Sequence, residues 1–283
     1  MQSSFPHARR ALAHTSLLLL AACGSRASDA PPAPDPAPLV RELEEAFAPV
    51  SDSTTSDVKD RALTLRRTTL ERLRGGSPEL GRAAWKRFQE VEKTNEELRV
   101  ALLDVASHSA PDDVKRELAR MVGTYGPEFT LRLRTHAVRF LAEVAPKEAV
   151  ELLTPLVREP QRATTYPPQE TLLECWIDAS RKVGSLDERL LADVAIGIRQ
   201  PADARYRAIE ELGRVASPVT RDALELVLTE SGSDGYLRRK AAQAVIDGLP
   251  RAEACALLER IADREVDQVF LVFLADMLQK NCP

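Results

Sequence analysis

Five segments of this chain repeat the same short apolar pattern at a near-constant interval, and this recurrence restricts its fold more than any other feature. Aligned on Ala101, Ala137, Trp176, Ala208 and Ala241, the segments Val100-Ala101-Leu102-Leu103, His136-Ala137-Val138, Cys175-Trp176-Ile177, Arg207-Ala208-Ile209 and Lys240-Ala241-Ala242 are spaced by 36, 39, 32 and 33 residues. Self-similarity on this scale marks stacked arrays, because one unit cannot bury its apolar stripe alone and each neighbour must cover the next. A polar break and a second apolar-periodic stretch follow each anchor, over 112–122, 147–157, 187–198, 218–228 and 251–261, and a last stretch over 266–279 closes the series. Aromatics are 5% of the chain and glycines number 12, which suits helices rather than a β-sandwich or barrel.

The paired stretches resemble HEAT repeats, including their shorter prokaryotic forms. Arg132-Leu133-Arg134-x-x-Ala137-Val138 and Tyr236-Leu237-Arg238-Arg239-Lys240-Ala241-Ala242 carry the Arg-x-x-Ala opening of a first helix. The resemblance implies an all-α fold, a right-handed-type α-solenoid of antiparallel helix pairs, over 96–283. Upstream, Leu39, Val40, Leu43 and Phe47 make a short amphipathic start. Val58, Ala62, Leu65, Thr69 and Leu73 then share a helical face that ends at Gly75-Gly76, and Leu80, Ala84, Phe88, Val91, Leu98, Leu102 and Val105 share another. These two faces predict a helical hairpin with a long second arm, so that 39–95 forms a hairpin region leading into the array. Residues 158–169, with Tyr166-Pro167-Pro168, lengthen one inter-repeat loop; a tolerated insertion and part of a binding face both account for it.

The N-terminus reads as a targeting segment. Arg9 and Arg10 precede an apolar run that is shorter than the roughly 20 residues a membrane-spanning helix needs. Leu20-Ala21-Ala22-Cys23-Gly24 resembles the lipobox of bacterial lipoproteins, which implies cleavage after residue 22 and lipidation of Cys23. Residues 23–38 hold five prolines and read as a disordered, extended tether of about 40 Å. The expected location is the cell envelope, lipid-anchored and facing the periplasm or exterior; Gly24, in place of an aspartate, favours the outer membrane.

Without residues 1–22 the chain has 37 basic and 43 acidic residues, which argues against a nucleic-acid partner. Between Lys59 and Arg87 nine basic residues meet three acidic ones, so Arg66, Arg67, Arg72, Arg74 and Arg82 are candidates for contact with anionic headgroups, against the plainer reading of a solvated face. His108, placed just after a helix end, and His136, at an anchor, belong to no catalytic or metal spacing. No phosphate loop, zinc-protease helix, nucleophile elbow or Cys-x-x-Cys pair occurs, and no cofactor, metal or small-molecule substrate is implied.

Cys255 starts a second helix and Cys282 ends the next, which puts them at one end of neighbouring antiparallel elements; a disulfide and two separate thiols are both open. Cys175, two repeats earlier, is expected buried and free. The leading functional reading is a non-catalytic scaffold that binds an unidentified protein or peptide through the second helices, with Arg116, Arg120, Arg221, Glu225 and Arg260 as candidate contacts. An enzyme or enzyme subunit of the HEAT-like lyase type and a purely structural envelope spacer are the alternatives.

Overall fold

The computed structural model describes residues 35–51, 55–124, 128–160, 166–215, 217–230 and 234–282. The cleavage site, Cys23 and the first part of the tether lie outside them. Among the described residues the protein is all-α, with fourteen helices and no strand. The helices are α1 (Ala37–Ala46), α2 (Ser56–Leu73), α3 (Pro78–Glu90), α4 (Glu96–Ser109), α5 (Pro111–Gly123), α6 (Leu131–Val144), α7 (Pro146–Arg158), α8 (Gln169–Val183), α9 (Glu188–Ile196), α10 (Ala202–Val215), α11 (Pro218–Thr229), α12 (Gly235–Gly248), α13 (Arg251–Ala262) and α14 (Gln268–Asn281).

Local chemistry sets the boundaries. Ala110 ends α4 and begins α5, and Ala145 does the same between α6 and α7; Pro111 and Pro146 come next at the first helical position. Proline has no N–H for the preceding helix and a φ suited to a new one, so the chain turns within one residue. Asp112, Asp113 and Glu148 add carboxylates to these first turns, where the helix dipole favours them. Side-chain oxygens of Ser77, Thr130 and Ser217 accept from Leu80, Leu133 and Thr220 N–H and cap α3, α6 and α11.

Two expectations for the N-terminal region are corrected. The long second arm is two helices, α3 and α4, because Asn95 leaves the apolar stripe and caps α4 by accepting from Leu98 N–H at 3.3 Å. On α2 only Thr69 and Leu73 of the expected stripe are buried, whereas Val58 and Leu65 are exposed: α2 packs against α1 and α4 alone, and its first half extends beyond them. Residues 35–283 form one compact unit in which α4 touches α1, α2 and α3.

From α4 onward every helix touches the helix two positions later, so α4, α6, α8, α10, α12 and α14 make one row and α5, α7, α9, α11 and α13 another. The five anchors lie in the first row and are all buried, four of them as alanines that let adjacent backbones approach. α10 and α12 approach closely: a Cβ on Gly213 would come within 2.9 Å of Ala244 Cβ, and one on Gly248 would strike the Gly213 carbonyl.

Candidate functional site

Behind the Arg-x-x-Ala openings lies a repeated device. Arg134 of α6 is fully buried and donates to the carbonyls of Met121 (2.9 Å), Phe129 (3.3 Å) and Thr124, at the end of α5 and in the loop beyond. Arg205 of α10 donates to Ala195 O at the end of α9 (2.8 Å) and to Glu230 (3.0 Å); Arg238 of α12 donates to Leu228 O at the end of α11 (2.9 Å) and to Glu265. Gln169 takes this place in α8, reaching Leu156 O and Val157 O. The last carbonyls of a helix have no intrahelical partner, so a buried donor from the next helix satisfies them and fixes where the two rows meet.

A band of charged side chains links successive helices of the first row. Arg74, just after α2, forks onto Asp104 of α4 at 2.7 and 2.9 Å. His108, inside α4 rather than after its end, donates from Nδ1 to the Asp104 carbonyl and carboxylate at 2.8 and 2.9 Å and from Nε2 to Glu143 of α6 at 2.7 Å. The Asp104 hydrogen bond, opposed by burial and aided by Glu143, raises this imidazole to about 9, so it is an imidazolium at neutral pH. His136, by contrast, is lowered by burial and by Arg139 and Arg132. Further along, Lys182 of α8 donates to Ala142 O at 3.0 Å, and Glu211 of α10, fully buried, takes Arg181 of α8 and Arg214. Glu210 takes Lys240 of α12 at 2.8 Å.

Two grooves interrupt this band. One, of about 460 Å³, lies between α6 and α8 and is lined by Arg139, Glu143, Glu174, Asp178 and Lys182, with Cys175 at its edge. Cys175 is free and 7% exposed, and burial pushes its thiol up to about 12, so it is protonated and a poor nucleophile. The other, of about 570 Å³, lies between α10 and α12 and is lined by Glu210, Arg214, Lys240, Gln243 and Asp247, with Gly213, Ala244 and Gly248. Both present matched charges of either sign, suited to polar docking. No group of three His, Cys, Asp or Glu is placed to hold a metal among the described residues, and none of their helices is long and apolar enough to cross a membrane.

The expected contact residues of the second row are mostly committed within the chain. Arg221 of α11 pairs with Glu253 of α13 at 3.2 Å, and Arg260 of α13 reaches both oxygens of Glu225 of α11 at 2.9 and 3.0 Å, so these three candidates tie neighbours together. Arg120 pairs with Glu117 and Glu128 and lies over the Phe129 ring; Arg116 is exposed on α5. Much of the basic stretch is likewise committed: Arg66 meets Glu97, Arg72 meets Glu42, Arg74 meets Asp104, Arg82 meets Glu79 and Asp113, and Arg87 meets Glu44, whereas Arg67 is exposed on α2. The paired charges are spent on α1, α3, α4 and α5, and a lipid surface would have to compete for them.

Cys255 and Cys282 form a disulfide with Cα atoms 5.7 Å apart, which joins α13 to the end of α14. The band itself was missed in the sequence, although its pairs recur near the repeat interval: Arg74 and Asp104 are 30 residues apart, Glu210 and Lys240 also 30, and His108 and Glu143 35. Set against protein-family models, curated proteins and solved structures, the chain matches none.

Proposed function

We propose that the chain is a lipid-anchored envelope lipoprotein whose helix pairs stack as a HEAT-like α-solenoid and serve as a non-catalytic scaffold for a protein or peptide partner. One observation carries the scaffold part: every helix from α4 to α12 contacts the helix two positions later, which is what stacked antiparallel pairs require. In such an array the core is satisfied by neighbours and the outward faces remain available along the whole row. Support for the anchor comes from Leu20-Ala21-Ala22-Cys23 and the proline-rich stretch after it, and two or three acyl chains would suffice for stable attachment.

Two experiments test the reading. Cells fed an alkyne-bearing fatty acid should label the full chain, and Cys23→Ala should abolish the label and release the protein from membranes; label retained in that variant removes the anchor. In-cell crosslinking followed by purification should return one or two stoichiometric partners. A protein that returns none is not a scaffold.

A further inference from the structure

We propose that Arg99 of α4 is an open receptor for a carboxylate, brought either by a small free acid or by an acidic side chain of a docked peptide. The peptide source rests on the scaffold reading; the site itself does not.

Arg99, Arg134, Arg205 and Arg238 form one series, each being the fourth residue of its helix, in α4, α6, α10 and α12. Arg134 donates to three carbonyls, and Arg205 and Arg238 each divide their donors between a helix-end carbonyl and a carboxylate. Arg99 is as buried as these last two, all three being 7% exposed, and its guanidinium lies 4.7 Å from the Phe88 ring centre much as that of Arg238 lies over Phe270. Its donors, however, are idle. Among the described residues none accepts from them, and Nε is sealed from water without a partner. Buried donors are satisfied as a rule, and a buried cation left uncompensated is destabilising, so this position departs from both.

The sibling positions identify what is missing. Glu230 and Glu265, which serve Arg205 and Arg238, stand just beyond α11 and α13, the second-row helices that follow α10 and α12. The second-row helix that follows α4 is α5, and the carboxylate beyond it, Glu128, is held by Arg120 at 2.8 Å instead. One other charge acts on Arg99: burial lowers the pKa of its guanidinium and Glu96, one turn back on α4, opposes that. Glu96 makes no ion pair with it and accepts from the Thr130 hydroxyl. Arginine stays a cation even when buried, so a carboxylate from outside would supply both the absent charge and the absent acceptors to a fork already set on an aromatic ring.

The test follows the arginine Nε–H resonances of the full chain, made with isotopically labelled arginine, as sodium acetate is added at constant ionic strength against sodium chloride. The Arg99 resonance, identified by its loss in Arg99→Gln, should shift saturably with acetate and not with chloride, and Arg99→Lys, which keeps the charge without the fork, should weaken acetate protection of the melt about tenfold. Because Arg99 gives up no internal partner, Arg99→Gln should keep or raise the wild-type melting temperature, unlike Arg134→Met. The proposal is overturned if acetate moves no Arg99 resonance, if chloride moves it equally, or if Arg99→Gln destabilises the fold as Arg134→Met does, which would reveal an acceptor within the chain. In-cell crosslinking assigns the source: a stoichiometric partner that is lost in Arg99→Gln brings the carboxylate itself, whereas one that is retained leaves the small acid. Should crosslinking return no partner while acetate still binds, the scaffold falls and the site stands.

Discussion

His108 makes the stability of this array depend on pH in a direction opposite to that of most carboxylates. Its folded pKa, about 9, lies above the 6.5 of a free imidazole. The folded state therefore holds the proton more tightly, and the resulting stabilisation is complete below pH 6.5, declines as pH rises from 6.5 to 9, and is gone above that. A displacement of this size corresponds to at most about 3 kcal/mol. Glu143, one of the partners, is half-exposed and screened by water, which brings the expected contribution to about 1–2 kcal/mol. The perturbation is His108→Gln, with Asp104→Asn as a second variant that keeps the ring and removes its main partner. Urea unfolding at pH 6 and pH 9.5 should show the wild type losing about 1–2 kcal/mol more than His108→Gln. In an NMR titration the His108 ring should move near pH 9 in the wild type and well below that in Asp104→Asn, while His136 titrates on the acid side of 6.5. A His108 ring that titrates near 6.5, with equal pH dependence in wild type and His108→Gln, would refute the network.

Arg134→Met should destabilise the protein by about 3 kcal/mol or more in denaturant melts, since three carbonyls lose their donor inside the core. Gly248→Ala places a methyl against the Gly213 carbonyl and should cost about 1–3 kcal/mol, with a lowered melting temperature as readout. Cys255→Ser with Cys282→Ser opens a link spanning 27 residues, worth about 2–4 kcal/mol, and should raise hydrogen exchange in α14 while leaving α4 to α8 unchanged. Cys175 should react with a maleimide only under denaturing conditions; fast modification of the native chain would contradict its burial.

The helices were legible because their signals are local: apolar spacing, Gly75-Gly76 after α2, and the anchors Ala137, Ala208 and Ala241. Legibility failed where one polar residue outweighed a stripe, as at Asn95, which caps α4 instead of continuing α3. It failed again on α2, because Val58 and Leu65 look buried in a periodic pattern, and only the lengths of α1 and α4 decide what they cover. Charged residues were the least readable. Arg221, Glu225 and Arg260 look like a free solvent face in one helix, yet their partners sit 32 to 35 residues away on the next helix of the row. His108 and Glu143 show the same relation, so comparing charges one repeat apart would have exposed the band.

The arginine at the opening of α10 or α12 also limits how the chain can be lengthened or shortened. Arg238 holds the end of α11 on one side and Glu265, beyond α13, on the other, so a cut between α12 and α13 would strand a buried cation with half its ligands. Arg205 bridges Ala195 and Glu230 in the same way. Viable deletions and duplications must therefore come in whole multiples of the unit, in phase with these arginines, so that each helix end meets the arginine of the next unit.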